Sequence, residues 1–484
     1  MQYISTRDRE QQFSAAQAIS KGLADDGGLL TPVYLPKLPR RSLEELKDMS
    51  YQQRAVYVMK LFLDGFSVKE LTDFANAAYG PEKFDTPAVA PVRALDSNTF
   101  CLELWHGPTC AFKDMALQML PHLLTASLRK LEEEKTVCIL VATSGDTGKA
   151  ALEGFHDVPG IRICVFYPDG GVSQVQRAQM VTQEGRNVFV FGVKGNFDDA
   201  QSGVKHIFAA ADHRRLSTGN SMNLGRLAPQ ITYYFKAYGD LLKGGEIAWG
   251  QKVNFSVPTG NFGDILAGYL AKEMGLPVGT LICASNENNV LTDFLATGTY
   301  DRRRPLHKTI SPSMDILISS NLERLLYFVS RDTSLVKDLM EKLNQEGHYT
   351  LPESLMAKIQ AQFFGGWCSD EKGKQVISRV YGDYGYLCDP HTAAGWAAAE
   401  GYREATGDEN PLVVLSTASP YKFPEAVLSA LGEAAPKDGF AALAQLHKKT
   451  AVSVPRNLLG LEQKPRLHTR VISKDEMLPT VLGL

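Results

Sequence analysis

"VCILVATSGDTGKAALEGF", residues Val137 to Phe155, is the stretch that decides the fold. Its first six residues are apolar and rich in β-branched side chains, which predicts a strand buried on both faces. A loop of glycines and hydroxyl-bearing residues follows, and then a helix-like segment. Five further runs of this kind are IRICVFYP (161–168), NVFVFGV (187–193), KVNFSVP (252–258), TLICASN (280–286) and PLVVLST (411–417). Because such runs alternate with helix-like segments, the sequence predicts an α/β fold with a parallel sheet covered by helices on both faces.

The region before these strands has a different pattern. Residues 1 to about 80 contain helix-like segments around the turn-rich stretch ADDGGLLTPVYLPKLP (24–39), and the proline-rich stretch YGPEKFDTPAVAPV (79–92) follows them. We therefore predict a small, mainly helical N-terminal domain over 1–90 and a main region over 91–484. Between about 311 and 410 the pattern is mainly helical. Ser320 and Glu323 have the spacing of a capping box, so Glu323 is predicted to be structural.

Composition excludes several classes of protein. The 484 residues include 51 basic and 54 acidic residues, for a net charge of −3, and no basic helix face appears, so a nucleic-acid partner is not expected. There is no signal-peptide pattern and no apolar run of about 18 residues, which predicts a cytoplasmic protein with no membrane partner. The seven cysteines form no C-x-x-C pair and no cluster with histidine, so no metal site is predicted.

Three of the predicted strands end in loops that suit a ligand. Ligands gather at the carboxyl ends of parallel strands, where the next helix presents free N–H groups. The first loop contains Ser144, Gly145, Asp146, Thr147 and Gly148, whose N–H groups and hydroxyls suit a carboxylate. It is not a nucleotide P-loop, because Thr143 and Ala150 stand where that motif needs glycine and a hydroxyl.

The second loop contains Gly260, Asn261, Phe262, Gly263 and Asp264. Its glycines would let the backbone wrap a phosphate, although a tight turn before a closely packed helix would use the same glycines. The third loop begins at Ser416 and Thr417. Hydroxyls at a strand end are most often caps, and they can also meet a heteroatom of a bound ring.

Lys113, in "HGPTCAFKDMALQ" (106–118), is the candidate reactive group. A solvated lysine at a helix start is the ordinary interpretation of such a residue, but the first turn of a helix is electrostatically unfavourable for a cation. Apolar neighbours and nearby N–H dipoles would both lower the pKa of this amine. A lysine in that environment suits a Schiff base.

These features together resemble a known family. A lysine early in the chain, S-G-D-T-G after a strand, G-N-F-G-D later and a hydroxyl at the last strand are similar to the pyridoxal-phosphate enzymes of the tryptophan-synthase β fold. Within that group the sequence resembles the threonine synthases with an N-terminal extension. The resemblance runs nearly end to end, through YISTR, GLADDGGLLTP, HGPTCAFKD, ATSGDTGKAA, GNFDDAQ, NSMNLGRLAPQITYY, PTGNFGDILAGY, SPSMDILISSNLERLL, DPHTAAGWAA and STASPYKF.

The resemblance implies a fold and a cofactor site. The main region would consist of two α/β subdomains, each built on an open, mostly parallel sheet, and would bind pyridoxal 5'-phosphate. Lys113 would carry the cofactor as an internal aldimine and shuttle protons, and residues 260 to 264 would hold the cofactor phosphate. Thr417 would lie against the pyridine nitrogen, with Ser416 as its neighbour and substitute. Residues 144 to 147 would receive the substrate carboxylate and the ring hydroxyl.

The resemblance also implies a reaction, the conversion of O-phospho-L-homoserine and water to L-threonine and phosphate. A second phosphate-binding patch is then needed, and the candidates are Asn196, Asn223 and Arg226. Asp389 and His391 are weaker candidates, since "DPHT" is also typical of a helix start with proline at its first position. The alternative role for Asn196 is to shape a turn.

Two alternatives remain open at this point. A threonine-synthase-like phospho-lyase would use the same cofactor and release 2-oxobutyrate, ammonia and phosphate. A non-catalytic sensor would keep the fold without turnover, but it would be expected to lose the lysine or the phosphate loop, and both are intact here. The assembly is expected to be a monomer or a homodimer.

Overall fold

The computed structural model describes residues 1–134, 136–210 and 216–484. Its N-terminal part consists of β1 (Tyr3–Ser5), β2 (Asp8–Phe13), α1 (Ala15–Lys21), β3 (Leu30–Pro32), α2 (Arg40–Leu46), α3 (Tyr51–Phe62) and α4 (Val68–Ala78). Serine caps begin α1, α3 and α4, each in a capping box. The part is mainly helical, as predicted, but β1 also pairs antiparallel with β2 and β3. The sequence pattern missed this sheet because two of its strands have only three residues, too few to show a period.

The main region contains all six strands that the sequence predicted. Its strands are β4 (Val92–Ala94), β5 (Thr99–Glu103), β6 (Val137–Ala142), β7 (Ile161–Pro168), β8 (Val188–Val193), β9 (Leu216–Thr218), β10 (Val253–Pro258), β11 (Val278–Ser285), β12 (Thr299–Asp301), β13 (His348–Thr350), β14 (Phe363–Trp367), β15 (Leu412–Ser416) and β16 (Val471–Ile472). The predicted runs are β6, β7, β8, β10, β11 and β15. All six lie inside sheets, as β5 also does, and strands with both faces covered have mostly apolar side chains.

These strands form two separate, mostly parallel sheets, which confirms the predicted fold class. The larger sheet has the order β14-β11-β10-β15-β5-β4 and is parallel except for β4, which pairs antiparallel with β5. The smaller sheet has the order β16-β8-β7-β6-β9 and is parallel throughout. β12 and β13 form a short antiparallel pair apart from both sheets.

Helices cover both sheets. They are α5 (Asp114–Leu117), α6 (Leu120–Lys130), α7 (Asp146–Phe155), α8 (Gln174–Val181), α9 (Phe197–Ala210), α10 (Leu224–Gly244), α11 (Gly263–Glu273), α12 (Val290–Thr297), α13 (Leu322–Ser330), α14 (Thr333–Gln345), α15 (Glu353–Gln360), α16 (Asp370–Tyr384), α17 (Pro390–Thr406), α18 (Pro424–Ala430), α19 (Gly439–Thr450) and α20 (Met477–Leu482). We call the smaller sheet with α7, α8 and α9 the small lobe, and the larger sheet with its helices the large lobe. Among the described residues, no helix has both the length and the apolar character needed to cross a membrane.

The chain passes between the lobes three times. It forms β4 and β5 of the large sheet, crosses to build β6 to β9, returns for β10 to β15, and ends with β16 in the small sheet. Loops from both lobes therefore meet where the parallel strands of the two sheets end. This is the place where open α/β sheets bind ligands.

The region from about 311 to 410, predicted to be mainly helical, contains two strands that were not predicted, β13 and β14. β14 is the longer of the two. Its centre is Gly365-Gly366, and glycines inside a strand ordinarily argue against one. A Cβ on Gly365 would lie 3.0 Å from the Cα of Thr292 on α12, and one on Gly366 would lie 2.8 Å from the Cβ of Ala398 on α17. The glycines are there because helices pack closely against both faces of this edge strand.

Candidate active site

A cavity of about 540 Å³ lies between the two lobes. Residues that follow β6, β9, β10 and β15 line it, together with Arg7, Lys21, Leu23 and Leu29 of the N-terminal part. The predicted site residues that line it are Lys113, Ser144, Asp146, Thr147, Arg226, Gly260, Asn261, Gly263, Asp264, His391 and Thr417. The fold thus brings most of the predicted site together from six separate stretches of the chain.

Lys113 lies at the start of α5, as predicted, with its side chain in the cavity wall. Burial is the largest cause that lowers the pKa of Lys113 to about 8. The carboxylate of Asp146 opposes this shift, while the cations of Arg226 and Lys422 add to it. Since α5 is only four residues long, the helix dipole that the sequence suggested is a minor contributor compared with burial and these two cations. An amine with this pKa is partly neutral near physiological pH and can act as a nucleophile and base.

The loop before α11 presents a row of unused hydrogen-bond donors. The backbone N–H groups of residues 260 to 263 have no acceptor within the described part of the chain, whereas the N–H of Asp264 faces its own carboxylate. Phe262 has a left-handed backbone, with φ of 62°, which turns the chain into α11. Consecutive free N–H groups at a helix N-terminus form a site for a phosphate-like anion.

This loop is held in place by residues that the sequence did not single out. The hydroxyl of Ser319 donates to the carbonyl of Gly260 at 2.7 Å, and the backbone and side chain of Asn321 both donate to the carbonyl of Asn261 at 3.0 Å. A Cβ on Gly260 would lie 2.7 Å from the carbonyl oxygen of Ser313, so glycine is required there. The side chain of Phe262 does not line the cavity, because it is buried against Phe363, 5.7 Å away between ring centroids.

Arg226 is a buried cation in the cavity wall, and it has no ion pair among the described residues. Its side chain is 3% exposed, and Nη1 donates to the carbonyl of Gly219 at 2.8 Å. Its Nε has no hydrogen-bond partner, and among the described residues no carboxylate lies within salt-bridge distance of it. Burial lowers the pKa of Arg226 to about 10, so the guanidinium stays charged at neutral pH. A buried, unpaired cation beside a cavity favours an anionic ligand.

Asp264 lies at the first turn of α11, and its carboxylate accepts from the N–H of Ile265 at 2.9 Å. Burial raises the pKa of Asp264 to about 6, so the carboxyl is still mostly ionised at pH 7. An anionic side chain does not suit a phosphate. The backbone N–H of Asp264 is therefore the group that fits the predicted contact.

The loop of residues 144 to 147 is shaped by Thr143, whose hydroxyl accepts from the N–H groups of Gly145 at 2.9 Å and Gly148 at 2.8 Å. Gly145 has φ of 130°, and a Cβ there would lie 2.5 Å from the side-chain amide of Gln176, so this residue shapes the loop without lining the cavity. The hydroxyls of Ser144 and Thr147 line the cavity and have no hydrogen bond to any described residue. They suit the predicted role, which is to donate hydrogen bonds to a substrate carboxylate.

Asp146 differs from its neighbours because its carboxylate is already occupied. It accepts from Lys422 Nζ at 2.5 Å, from Gln176 Nε2 at 2.8 Å and from Ser313 Oγ at 3.1 Å. Burial alone would raise the pKa of Asp146, but the ammonium groups of Lys422 and Lys113 outweigh it and hold that pKa below the usual range. Asp146 is thus an anion in the cavity wall, which does not suit a substrate carboxylate.

Lys422 is a residue that sequence reasoning missed. It is fully buried, and Nζ also donates to the carbonyl of Thr109 at 3.0 Å. The available signal was "SPYKF" (419–423), in which the lysine stands between two aromatic residues at a strand end.

Thr417 and Ser416 point to opposite sides, as consecutive residues at a strand end do. Thr417 lines the cavity. The hydroxyl of Ser416 instead meets Trp105 Nε1 at 3.2 Å, Tyr386 OH at 3.0 Å and Thr392 Oγ1 at 3.3 Å. Ser416 therefore cannot substitute for Thr417, contrary to the prediction.

Two candidates for the second phosphate patch have other tasks. The side chain of exposed Asn196 accepts from the N–H of Asp199 at 3.0 Å and forms the cap of α9, outside the cavity lining. Asn223 caps α10 by accepting from the N–H of Gly225 at 2.9 Å, and its amide donates to the carbonyls of Ile19 and Thr218. Both predictions mistook helix caps for ligand contacts. Arg226 remains the candidate for the second phosphate-binding patch.

Asp389 and His391 form a helix start, as the structural interpretation of "DPHT" expected. Asp389 caps α17 and lies 2.6 Å from His391 Nδ1, so that nitrogen carries the proton. His391 Nε2 accepts from the N–H of Ser313 at 3.1 Å while the ring lines the cavity. His391 thus holds the loop whose serine hydroxyl reaches Asp146.

Glu323 does not form the predicted capping box. α13 begins after Asn321, and no side chain caps it. The carboxylate of Glu323 instead accepts from Arg7 Nε and Nη2, both at 2.8 Å, and from Thr6 Oγ1 at 2.5 Å. Arg7 and Glu323 line the cavity, so the N-terminal part closes one side of it.

Three family models match the chain. "Threonine synthase N terminus" matches residues 2–79, "Pyridoxal-phosphate dependent enzyme" matches 84–357, and "Threonine synthase, C-terminal" matches 392–476. The large middle match covers the lysine and the loops at 144–147 and 260–264.

Individual proteins are similar over most of the chain. A threonine synthase of Pseudomonas aeruginosa is 42% identical over 440 residues, which cover 90% of this chain and 91% of that protein. The human protein named threonine synthase-like 1 is 40% identical over 456 residues, which cover 89% of this chain. This chain spans only 60% of the length of that protein and of its orangutan and macaque counterparts.

Solved structures agree with the fold. The pyridoxal-phosphate-bound threonine synthase of Brucella melitensis superposes with a TM-score of 0.88 at 38% identity, covering 100% of this chain and 98% of that one. The yeast threonine synthase superposes with a TM-score of 0.89 at 33% identity, covering 99% and 98% of the two chains.

Proposed function

The chain belongs to the threonine synthase family of pyridoxal-phosphate-dependent enzymes, and we propose that it converts O-phospho-L-homoserine and water to L-threonine and phosphate, the last step of threonine biosynthesis. The observation that carries this proposal is the content of one cavity. A lysine with a lowered pKa, a loop with four free N–H groups and an unpaired buried arginine all face the same space.

The residues present fit pyridoxal 5'-phosphate. The free N–H groups at 260 to 263 would hold its phosphate, Lys113 would bind its aldehyde carbon, and the Thr417 hydroxyl would meet the ring nitrogen. Once bound, the cofactor supplies an electron sink that acidifies the carbon atoms next to the substrate nitrogen. A threonine at the ring nitrogen, unlike a carboxylate, does not enforce a positive charge on the ring.

The chain's own groups provide proton transfer and binding. With a pKa of about 8, Lys113 can accept a proton and give it back near neutral pH, as successive proton removals require. Ser144 and Thr147 supply hydroxyls for the substrate carboxylate. Arg226 supplies a fixed cation for the phosphate that leaves.

The test is a product analysis. Purified protein with pyridoxal phosphate is incubated with O-phospho-L-homoserine, and threonine, 2-oxobutyrate and phosphate are measured. Threonine and phosphate in equal amounts are expected. Predominant 2-oxobutyrate would overturn this function in favour of the phospho-lyase, and no product from a protein that binds the cofactor would favour the non-catalytic sensor.

Further features are proposed with this function. We propose two domains, 1–90 and 91–484, and the boundary is supported by the gap between the matches at 2–79 and 84–357. We also propose a cytoplasmic monomer or homodimer whose partner is a small molecule, in keeping with the nearly balanced charge of the chain.

A further inference from the structure

Lys422 and Asp146 form the most deeply buried ion pair at the cavity, among the residues that the structure describes. The side chain of Lys422 is 0% exposed and that of Asp146 is 2% exposed, with Nζ and Oδ1 2.5 Å apart. Lys422 follows β15 in the large lobe, whereas Asp146 begins α7 in the small lobe. The pair therefore joins the two lobes directly under the cavity.

The same lysine also holds the segment that carries Lys113. Its ammonium donates to the carbonyl of Thr109, four residues before Lys113, and its own carbonyl accepts from Ser173 Oγ at 3.2 Å. Thr109 in turn is fixed by Asp114, which accepts from its N–H and hydroxyl, both at 2.8 Å. A single side chain thus sets the position of Asp146 relative to Lys113.

One oxygen of the Asp146 carboxylate, Oδ2, has fewer partners than the other. Its Oδ1 is taken by Lys422 and Gln176, and its Oδ2 accepts from Ser313 alone. Asp146 lines the cavity, whereas Lys422 does not. Lys422 also acts on Lys113 through space, because its charge lowers the pKa of Lys113, but that effect is smaller than the opposite effect of Asp146.

We propose that Lys422 is a positioning residue that keeps the Asp146 carboxylate ionised and directed into the cavity, where its charge favours a proton on the nitrogen of Lys113. A buried carboxylate without a counter-ion takes up a proton, because desolvation penalises the charged form. Without Lys422, the Asp146 carboxyl would therefore become neutral, and its charge would no longer act on Lys113. The proposal rests on the proposed function, since it concerns Lys113 with pyridoxal phosphate bound.

The charged groups around these residues are few. Lys113 is influenced by Asp146, Asp264, Arg226 and Lys422, and Asp146 by Lys422, Lys113 and His391. Among the carboxylates, Asp146 has the larger effect on Lys113. Neutralising Asp146 should thus lower the pH at which the Lys113 nitrogen loses its proton.

The test is a spectrophotometric pH titration of the protein loaded with pyridoxal phosphate, in the wild type and in Asp146→Asn, Lys422→Met and the double variant. The measured quantity is the midpoint pH at which the spectrum changes as the Lys113 nitrogen deprotonates. Lys236→Met is the matched control, because Lys236 is also largely buried beside an aspartate, Asp240, but does not line the cavity.

Asp146→Asn should lower the midpoint by about one pH unit. Lys422→Met should lower it less than Asp146→Asn does, because this variant also removes a cation that disfavours the proton on Lys113. The double variant should match Lys422→Met, and the control should not move the midpoint. A midpoint that is unchanged or raised in Lys422→Met would overturn the proposal, as would a double variant that differs from Lys422→Met. If Lys422→Met does not fold, Lys422→Arg replaces it: this variant keeps the charge and should keep the wild-type midpoint, and a shift as large as that of Asp146→Asn would overturn the proposal.

Failure here is separable from failure of the proposed function. A wild-type protein that forms no absorbance band with pyridoxal phosphate would contradict the proposed function itself. A wild type with a normal band, and variants without the expected shifts, would remove only the role of Lys422.

Discussion

Two ion pairs lie at the cavity, and they differ in how much water reaches them. The floor pair, Lys422 with Asp146, is 0% and 2% exposed, whereas the roof pair, Arg7 with Glu323, is 18% and 6% exposed. The floor pair connects the two lobes next to Lys113, and the roof pair ties the N-terminal part to α13. A dry pair acts strongly on neighbouring charges, while a partly hydrated pair acts mainly as a mechanical link.

The largest effect is expected at Lys113, which lies next to the floor pair. Lys113→Ala should lower the rate of threonine formation by at least about a thousandfold, because it removes the nucleophile and base. Lys205→Ala is the matched control, since Lys205 lines the same cavity but is exposed, and it should change the rate only slightly. Rate measurements at saturating substrate check this, and equal losses in both variants would contradict a special role for Lys113.

Removing the carboxylate should lower the free energy of unfolding by different amounts in the two pairs. Asp146→Ala leaves an ammonium buried without a counter-ion and should reduce the free energy of unfolding by about 3 to 5 kcal/mol. Glu323→Ala leaves a guanidinium that water reaches, so the reduction should be about 1 to 2 kcal/mol. Chemical denaturation of both variants beside the wild type checks this. Losses of equal size would show that burial does not distinguish the pairs.

His106 offers a third case, intermediate in exposure at 14%, with Asp85 at 2.6 Å and Glu103 at 2.9 Å. Burial disfavours the cation, but the two carboxylates outweigh it and raise the pKa of His106 to about 9. Because the folded-state pKa lies above the ordinary value of about 6.5, the stabilisation is complete below pH 6.5 and is lost as the pH rises through 9. His106→Asn should therefore cost about 3 kcal/mol at pH 6 and almost nothing at pH 10. Unfolding free energies across this range check it, and a cost independent of pH would contradict the ionic origin.

The smallest effect concerns salt. At 1 M salt the Debye length is about 3 Å, which screens charges that water reaches but not those that are dry. The stability difference between the wild type and Glu323→Ala should therefore shrink by about 0.5 kcal/mol between 0.05 and 1 M sodium chloride, whereas the difference for Asp146→Ala should not. Parallel denaturation series at both salt concentrations would measure it. A salt response in Asp146→Ala would mean that water reaches the floor pair.

The fold class could be predicted because six strands of the two main sheets are mostly apolar. All six runs expected as strands are strands, since a strand inside a covered sheet has no polar face to obscure its pattern. β14 was not predicted because its two glycines, Gly365 and Gly366, are required by close contacts with α12 and α17, which are distant in sequence. No local pattern contains that information.

Some residues of the candidate site could likewise be predicted from the sequence, and others could not. Lys113 and the loop at 260 to 264 were recognisable, since each combines an unusual residue choice with its place after a strand or before a helix. Asn196 and Asn223 misled the prediction, because an asparagine that caps a helix and one that binds a ligand look alike in sequence. Glu323 was assigned to a local cap, but its partner Arg7 lies 316 residues away.

The sequence by itself determined the fold class, the family and the place of Lys113 at a helix start, because these depend on local apolar patterns and on short motifs whose residues are neighbours in the chain. Only the tertiary structure decided which charges meet. Lys422 and Asp146, and Arg7 and Glu323, are each far apart in sequence, and their burial arises when the lobes and the N-terminal part pack together. Electrostatic effects depend on distance and hydration, and both of these exist only in the folded chain.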